Sequence, residues 1–169
     1  MTLDTAERCS GVKLRGAFMA DAPSIERIEA AAFANPNERF PIARIRALLA
    51  NPRARSIVAE SGGNSVGWCV ALVRAHANWR SGRVYSLAVD PAMGGLGIGR
   101  TLVTTTLDSL ASEGVERVYL EARASNTAAL SLYTSIGFGV VEPLPDYYGA
   151  GIDGVRMRRL PMLGTIPDR

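Results

Sequence analysis

The segment 84–103, VYSLAVDPAMGGLGIGRTLV, joins an apolar strand to an amphipathic helix through a glycine-rich turn. Gly95, Gly97 and Gly99 permit backbone angles that are closed to other residues, and they let the backbone approach a ligand closely. The first N–H groups of a helix have no partner inside the helix, and together with the helix dipole they favour phosphate oxygens. The segment therefore predicts a phosphate-binding turn, with a tight strand–helix turn that binds no ligand as the alternative.

The spacing of these glycines excludes two common nucleotide-binding motifs. The dinucleotide fingerprint Gly-x-Gly-x-x-Gly, started at Gly95, requires glycine at the place of Arg100. The P-loop requires Gly-Lys-Ser/Thr, whereas this chain has Gly99-Arg100-Thr101. The turn thus fits neither motif.

Three further polar side chains follow in the next predicted strand and helix. Glu121 is an acid placed directly after an apolar run, and Tyr133 lies about two helical turns after Asn126, so that both helix residues can face one groove. A structural alternative for Glu121 is an exposed strand end or a salt bridge to Arg123 or Arg100. The alternative for Tyr133 is a core aromatic whose hydroxyl bonds to a carbonyl.

Periodicity and turn signals predict the elements that position these residues. The predicted strands are 12–18, 55–61, 66–73, 84–89, 115–122, 138–142 and 155–159. The predicted helices are 22–34, 41–49, 97–112 and a segment capped by Ser125 or Asn126 that runs to 135. Asp21 is the predicted cap of the first helix, and 77–82 and 143–154 are predicted loops. Strands that alternate with helices, together with hairpins, predict one mixed α/β sheet covered by helices.

The third predicted helix has one clearly apolar side. Its members are Ile98, Leu102, Val103, Thr106, Leu107 and Leu110. Their spacing predicts that this side packs against the sheet.

Composition favours a soluble protein with one domain. The chain has 169 residues, of which 47% are hydrophobic and 21% charged, and these values are typical of a globular domain. We interpret 1–169 as one domain, with 1–11 and 162–169 as loose tails. The first dozen residues have no apolar run of signal-peptide type, and no stretch approaches the roughly 18 apolar residues of a membrane helix. We therefore expect a cytoplasmic protein with no membrane partner.

Charge, cysteines and histidine argue against several other classes. The net charge of +3 is mild and the basic residues are scattered, so we expect no nucleic-acid partner. Cys9 and Cys69 have the spacing of neither a disulfide framework nor a zinc site, and we expect Cys69 to be a small buried hydrophobe. Nothing around His76, the single histidine, indicates a Ser-His-Asp triad, and a surface or packing role is expected.

Two motifs of the chain resemble one known family. The first consists of Val89-Asp90-Pro91, Gly97-Ile98-Gly99-Arg100 and Leu102, and it resembles the acetyl-CoA pyrophosphate motif of the GNAT acetyltransferase superfamily. The second consists of LEARASN at 120–126, Ala129, Leu132-Tyr133 and Gly137-Phe138. It resembles the RimI branch, which acetylates protein N-termini, in the type case a ribosomal protein alanine. The match spans about 85–157, with both motifs in the family's order.

The resemblance implies the GNAT fold, a single mixed and mostly antiparallel sheet of about six to seven strands flanked by about four helices. It also implies acetyl-CoA as co-substrate and no metal. Backbone groups of Leu87, Ala88 and Val89 would pair with the pantetheine arm like an extra strand, and Asn126 would hydrogen-bond that arm. The turn that would hold the pyrophosphate consists of Gly95, Leu96, Gly97, Ile98, Gly99 and Arg100.

The resemblance further implies direct attack of a primary amine on the thioester in a ternary complex. Glu121 would be the general base, directly or through water, Tyr133 the general acid beside the sulfur, and Tyr147 and Tyr148 would line the acceptor groove. An α-amine with a pKa near 8 is about one quarter neutral at pH 7.5, whereas a lysine is only about 0.1% neutral. An N-terminal α-amine therefore depends less than a lysine on a general base for its deprotonation.

One departure from the family pattern lies in the phosphate turn. Gly94 stands where the family usually has Arg or Gln, and Leu96 stands where it often has another basic residue. Backbone N–H groups and Arg100 remain, but a lost charge-assisted contact costs about 1.5–3 kcal/mol. This difference favours weaker cofactor affinity than in relatives.

Three functions are compatible with the sequence. They are an N-terminal acetyltransferase for proteins or peptides, an acetyltransferase for a small amine, and a non-catalytic acyl-CoA-binding regulatory module. Glu121, Asn126 and Tyr133 together favour catalysis. The acceptor would be shaped by 33–41, 78–82 and 144–154, which the sequence leaves undefined, and a monomer and a homodimer are both compatible with the chain.

Overall fold

The computed structural model describes residues 11–159 of the chain, which contain seven strands and four α-helices. The strands are β1 (Val12–Gly16), β2 (Ala54–Ser61), β3 (Asn64–Ala75), β4 (Arg80–Val89), β5 (Val115–Arg123), β6 (Phe138–Leu144) and β7 (Gly154–Arg159). The helices are α1 (Ala22–Ala32), α2 (Ile42–Leu49), α3 (Ile98–Ser112) and α4 (Thr127–Ser135). None of these helices is long and apolar enough to cross a membrane. Cys9 and the predicted tails, apart from Gly11, lie outside the described residues.

The seven strands form one sheet in the order β1-β2-β3-β4-β5-β7-β6. Strands β4 and β5 are parallel, and every other neighbouring pair is antiparallel. The predicted architecture, a mixed and mostly antiparallel sheet with four helices, is therefore confirmed.

The sheet separates two apolar clusters, because successive side chains of a strand point to opposite faces. On β3, Trp68 and Val70 pack with α1 and α2, whereas Cys69 and Ala71 pack with α3. The predicted apolar side of α3 is buried at all six positions, namely Ile98, Leu102, Val103, Thr106, Leu107 and Leu110. The helices thus cover the sheet, as predicted, and they do so on both faces.

Strands β4 and β5 separate half-way along β4. Their parallel ladder ends with Val84 opposite Leu120, while β4 continues to Val89 on its β3 side. At the same place β4 has a β-bulge, because Ser86 pairs with Val70 and Val84 pairs with Ala71, leaving Tyr85 as the extra residue. The last residues of β4 therefore have an edge that no strand among the described residues covers.

Strand β4 begins at Arg80, so the prediction of a loop over 77–82 is wrong for its last three residues. Ser81 and Gly82 are small and look like turn residues in the sequence. Gly82 is small because α3 packs closely here: a Cβ at Gly82 would lie 3.0 Å from a methyl of Leu110. Of the two roles expected for His76, surface or packing, the structure shows packing, because its ring stacks on Trp79 at 3.8 Å.

The prediction of a loop over 143–154 is also wrong at both ends. Pro143 and Leu144 belong to β6, and Gly154 opens β7. Strand β6 lies at the edge of the sheet, where a proline that lacks an N–H group is tolerated. The remaining element boundaries differ from the predicted ones by about two residues or fewer, the usual uncertainty at element ends.

Asp21 occupies the predicted cap position of α1, but its side chain forms no hydrogen bond to that helix. It accepts the N–H of Phe18 at 2.7 Å and binds the guanidinium of Arg15 at 2.8 Å. The arginine hydrogen bond holds the pKa of Asp21 below its usual value. Asp21 thus fixes the link between β1 and α1 and does not cap the helix.

Candidate active site

A cavity of about 350 Å³ lies where β4 and β5 separate. This volume falls in the range of about 300–1,000 Å³ that small-molecule sites occupy. Its walls come from the ends of both strands, from α4, from the connection between α1 and α2, and from the loop between β6 and β7. Its lining includes Glu121, Asn126, Tyr133, Tyr147 and Tyr148. The structure thus brings together the predicted catalytic and acceptor-binding residues.

Helix α4 presents Asn126 and Tyr133 to this cavity, as their spacing predicted. Asn126 is the cap of the helix, and its Oδ1 accepts the N–H of Ala129 at 3.1 Å. The cap uses only the amide oxygen, so the Nδ2 group keeps its two donors.

Tyr133 lines the cavity and is only 8% exposed. Its ring meets Phe138 edge-on at 5.8 Å. Among the described residues its hydroxyl has no hydrogen-bond partner, so the alternative of a bond to a carbonyl is not observed. Burial raises the pKa of Tyr133, with smaller contributions from Cys69 and Tyr148. The hydroxyl therefore remains protonated at neutral pH.

Glu121 is held between two arginines on the neighbouring strands. Its carboxylate accepts the Nε group of Arg83 on β4 at 3.0 Å and the Nε group of Arg156 on β7 at 3.0 Å. Its side chain is only 7% exposed. A salt-bridged Glu121 is therefore observed, but the predicted partners are wrong.

Both predicted partners of Glu121 bind elsewhere. Arg123 forms an ion pair with Glu38 in the connection between α1 and α2. Arg100 donates to the Ser135 hydroxyl at the end of α4, at 2.6 Å. Side chains alternate along a strand, so Arg123 and Glu121 share a face of β5, yet each finds a closer partner across the sheet or in a loop.

Tyr147 and Tyr148 form one wall of the cavity. Their rings meet edge-on at 5.0 Å, and the Tyr147 hydroxyl accepts the Nη2 group of Arg83 at 3.1 Å. The Tyr148 carbonyl accepts the side-chain amides of Asn35 and Asn37, each at 3.2 Å. Burial raises the pKa of the Tyr148 hydroxyl. The loop between β6 and β7 is thus fastened to the connection between α1 and α2.

Glu38 is a site residue that the sequence analysis missed. It lines the cavity and accepts the Nε group of Arg123 at 2.9 Å, which ties the connection between α1 and α2 to the end of β5. The two residues are 85 positions apart in the chain. No local signal marks such a contact.

Glu29 is a second missed residue, and it is fully buried on α1. It accepts the Trp68 indole N–H at 2.8 Å, the Phe40 N–H at 3.1 Å, and the hydroxyl of Ser86, which lines the cavity beside the bulge. Burial raises the pKa of Glu29. Its spacing of four from Ile25 places it on the apolar face of the helix, and that is the signal that could have marked it.

The glycine-rich turn lies at the far end of β4. Gly95 and Gly97 have φ of +76° and +75°, angles that other residues rarely adopt. Gly97 is the N-cap residue of α3. The N–H groups of the first turn of α3 therefore have no partner inside the helix and point out of its N-terminal end. A Cβ at Gly99 would lie 3.7 Å from Val89, so this first turn packs directly on the end of β4.

The uncovered edge of β4 connects the turn to the cavity. Leu87 and Val89 pair with β3 on one side, and β5 is absent from the other side beyond Val84. The edge runs from the cavity, which Leu87 lines, to the turn, and this order of features suits an extended chain with a phosphate group at one end. Within residues 11–159, no three His, Cys, Asp or Glu side chains are grouped so that they could hold a metal ion.

The comparison with family models identifies the family to which this fold belongs. The model described as Acetyltransferase (GNAT) family matches residues 22–138. The chain belongs to the GNAT acetyltransferase family. N-alpha-acetyltransferase RimI of Mycobacterium tuberculosis is 38% identical to this GNAT chain over 160 residues, which cover 94% of the chain and 96% of that protein. This GNAT protein is an acetyl-CoA-dependent N-acetyltransferase, as the resemblance predicted.

Two Escherichia coli proteins are also similar to this GNAT chain. The ribosomal protein bS18 alanine N-acetyltransferase of strain K12 is 42% identical over 65 residues, which cover 38% of this GNAT chain and 44% of that protein. The crystal structure of the E. coli ribosomal-protein-S18-alanine N-acetyltransferase has a TM-score of 0.78 at 24% identity, covering 94% of this chain and 99% of that one. The second comparison shows that the two proteins share a fold.

Proposed function

We propose that this enzyme transfers the acetyl group of acetyl-CoA to the N-terminal α-amine of a protein or peptide. The observation that carries the proposal is that one cavity holds the Glu121 carboxylate, the start of the uncovered edge of β4, and the Tyr133 hydroxyl, which has no hydrogen-bond partner within residues 11–159. The similarity to N-alpha-acetyltransferase RimI of M. tuberculosis along nearly the whole chain supports the acceptor class.

The uncovered edge and the glycine-rich turn are the proposed holders of acetyl-CoA, which supplies the acetyl thioester when it is bound. Backbone groups of Leu87, Ala88 and Val89 would pair with its pantetheine arm, and Asn126 Nδ2 would donate to the same arm. The pyrophosphate would be held by the N–H groups of the turn, which consists of Gly95, Leu96, Gly97, Ile98, Gly99 and Arg100. Because Arg100 already donates to Ser135, the backbone contributes most of this binding.

Glu121 is the proposed proton acceptor for the attacking amine. An α-ammonium group with a pKa near 8 must lose one proton before its nitrogen can form a bond to the acetyl carbon. Glu121 would take that proton, directly or through a water molecule. Arg83 and Arg156 hold the carboxylate in place, so little reorganisation is needed when the amine arrives.

Tyr133 is the proposed proton donor for the leaving group. As the carbon–nitrogen bond forms, the carbon–sulfur bond breaks, and the sulfur needs a proton to leave as a thiol. The pKa of Tyr133 is raised by burial, so the hydroxyl is still protonated at working pH. A thiol has a pKa near 8.5, below that of the phenol, so this transfer is uphill by itself; the second proton that the nitrogen loses as the amide forms would return to Tyr133 and complete the step.

Tyr147 and Tyr148 are the proposed walls of the acceptor groove. Tyr148 is fastened through its carbonyl to Asn35 and Asn37, and Tyr147 is fastened through its hydroxyl to Arg83. Such a fixed wall suits a peptide end that enters the cavity along the loop and the connection from α1 to α2. The first residues of the peptide would contact both segments.

Mass spectrometry of a panel of acceptors tests this proposal. The panel contains short peptides with free N-termini, the same peptides with a blocked N-terminus and an internal lysine, and a set of polyamines and aminoglycosides. We expect acetylation of the free N-termini only. Acetylation of small amines alone would overturn the acceptor class, because GNAT enzymes can differ in substrate through their loops while the fold stays the same.

Turnover and cofactor binding must be measured together in that experiment. Isothermal calorimetry with acetyl-CoA reports binding independently of the acceptor. Binding without transfer to any member of the panel would contradict the N-terminal assignment and favour a regulatory module.

A further inference from the structure

Arg44 lies on α2 at the rim of the cavity, and its guanidinium rests over two aromatic rings. The distances from its Cζ to the ring centroids are 4.6 Å for Phe40 and 5.9 Å for Tyr85. The side chain thus lies across the rim toward β4, and it is one of the residues that line the cavity. Stacking on two rings restricts a long and otherwise mobile side chain.

The other two arginines of the cavity lining are neutralised by carboxylates. Arg83 pairs with Glu121, and Arg123 pairs with Glu38. Arg44 forms no ion pair with any described carboxylate. Among the charged residues that line the cavity, Arg44 is therefore the cation without a compensating group, and the rim favours a negative charge.

Arg44 lies on the face of the sheet covered by α1 and α2, opposite the face on which the phosphate turn packs. Phe40 and Tyr85 pack with the cluster formed by α1 and α2. The phosphate turn packs instead with Val89 and α4, in the cluster on the opposite face of the sheet. A carboxylate bound at Arg44 would therefore belong to the molecule that enters beside Tyr147 and Tyr148.

We propose that Arg44 selects acceptors that carry a carboxylate close to the reacting amine, such as peptides with Asp or Glu among their first three residues. This inference rests on the proposed function, because it names a property of the same acceptor. Recognition would combine one charge-assisted hydrogen bond from the guanidinium with the apolar surface of Phe40 and Tyr85. A preference of about fivefold in kcat/KM is expected from one partly exposed ion pair.

Peptide pairs that differ only by Asp in place of Asn test the inference. Each pair has Asp or Asn at position 1, 2 or 3 of an otherwise identical peptide, and kcat/KM is measured for both members. We expect the wild-type enzyme to prefer Asp at one of these positions by about fivefold, less at high salt, and R44Q to lose that preference. The matched control is R46Q, since Arg46 is exposed on the same helix but does not line the cavity.

The outcomes separate this inference from the proposed function. Equal rates for Asp and Asn peptides in the wild-type enzyme would overturn the role of Arg44, while acetylation of both would leave the N-terminal assignment standing. A preference that persists in R44Q, or that R46Q removes equally, would also overturn it. Loss of the preference in R44Q alone, with the rate on the Asn peptide unchanged, would establish it.

Discussion

Arg83 on β4 and Glu121 on β5 form an ion pair beside the last rung of the parallel ladder, with Arg83 Nε 3.0 Å from Oε2 of Glu121. That last rung pairs Val84 with Leu120, and beyond it the strands separate. Arg156 holds the other oxygen of the same carboxylate. The group that we propose as the base is therefore fixed at the point where the sheet opens into the cavity.

Replacing Glu121 with glutamine tests its role as a proton acceptor. An amide keeps the shape of the side chain but cannot take the proton, so we expect kcat/KM at pH 7 to fall by about a hundredfold or more. The control is Glu142→Gln, which changes the other carboxylate that contacts Arg156 but lies outside the cavity lining. Equal losses in the two variants would assign Glu121 a structural role only.

Tyr133→Phe removes the proposed proton donor and leaves the ring in place. The packing against Phe138 remains, so stability and acetyl-CoA affinity should change little. We expect kcat to fall by about a hundredfold, the scale of a general acid, while the Kd for acetyl-CoA measured by calorimetry stays within about twofold. A kcat within about twofold of wild type would show that the hydroxyl takes no part in the chemistry.

Gly97→Asp places a side chain and a negative charge in the phosphate turn. A Cβ there would meet no atom within 4 Å, but the φ of +75° strains any residue other than glycine. We expect acetyl-CoA binding to be lost by calorimetry, because the charge repels phosphate. Gly114→Asp is the control, since Gly114 has the same φ of +75° and equally open space just after α3 ends. It should carry the same strain and keep acetyl-CoA binding, and unchanged affinity in Gly97→Asp would contradict the placement of the pyrophosphate.

Glu29→Gln is predicted to change how stability depends on pH. Burial raises the pKa of Glu29 in the folded state, so its contribution to stability is fully present below the unfolded pKa near 4.3. That contribution is lost as pH rises through the folded pKa, by about 1.4 kcal/mol for each unit of the shift. The free energy of unfolding of wild type minus that of Glu29→Gln, from urea titrations, should therefore be smaller at pH 8 than at pH 4.5. A difference that is constant or grows with pH would contradict the raised pKa.

Local sequence signals predicted the parts of the site that depend on neighbouring residues. Gly97 begins α3 in a left-handed conformation, and Asn126 caps α4 two turns before Tyr133. Each of these features is fixed by residues within one helix and its turn. They could therefore be predicted from spacing alone.

Local sequence signals could not predict which residues of distant segments contact one another. The partner of Glu38 is Arg123, and the partners of Glu121 lie on two other strands. Which strands become neighbours depends on the sheet order, and the order depends on packing of the whole chain. For the same reason the sequence could place Glu29 on an apolar helix face but could not assign its partners, Trp68 and Ser86.

The position of the acetyl group within a single peptide tests the central claim most directly. A peptide with a free N-terminal α-amine and an internal lysine is incubated with the enzyme and acetyl-CoA at pH 7.5, and tandem mass spectrometry locates the modification. The proposed function predicts acetylation at the α-amine, with the lysine unmodified in the same molecules. Acetylation at the lysine with a free α-amine would contradict it.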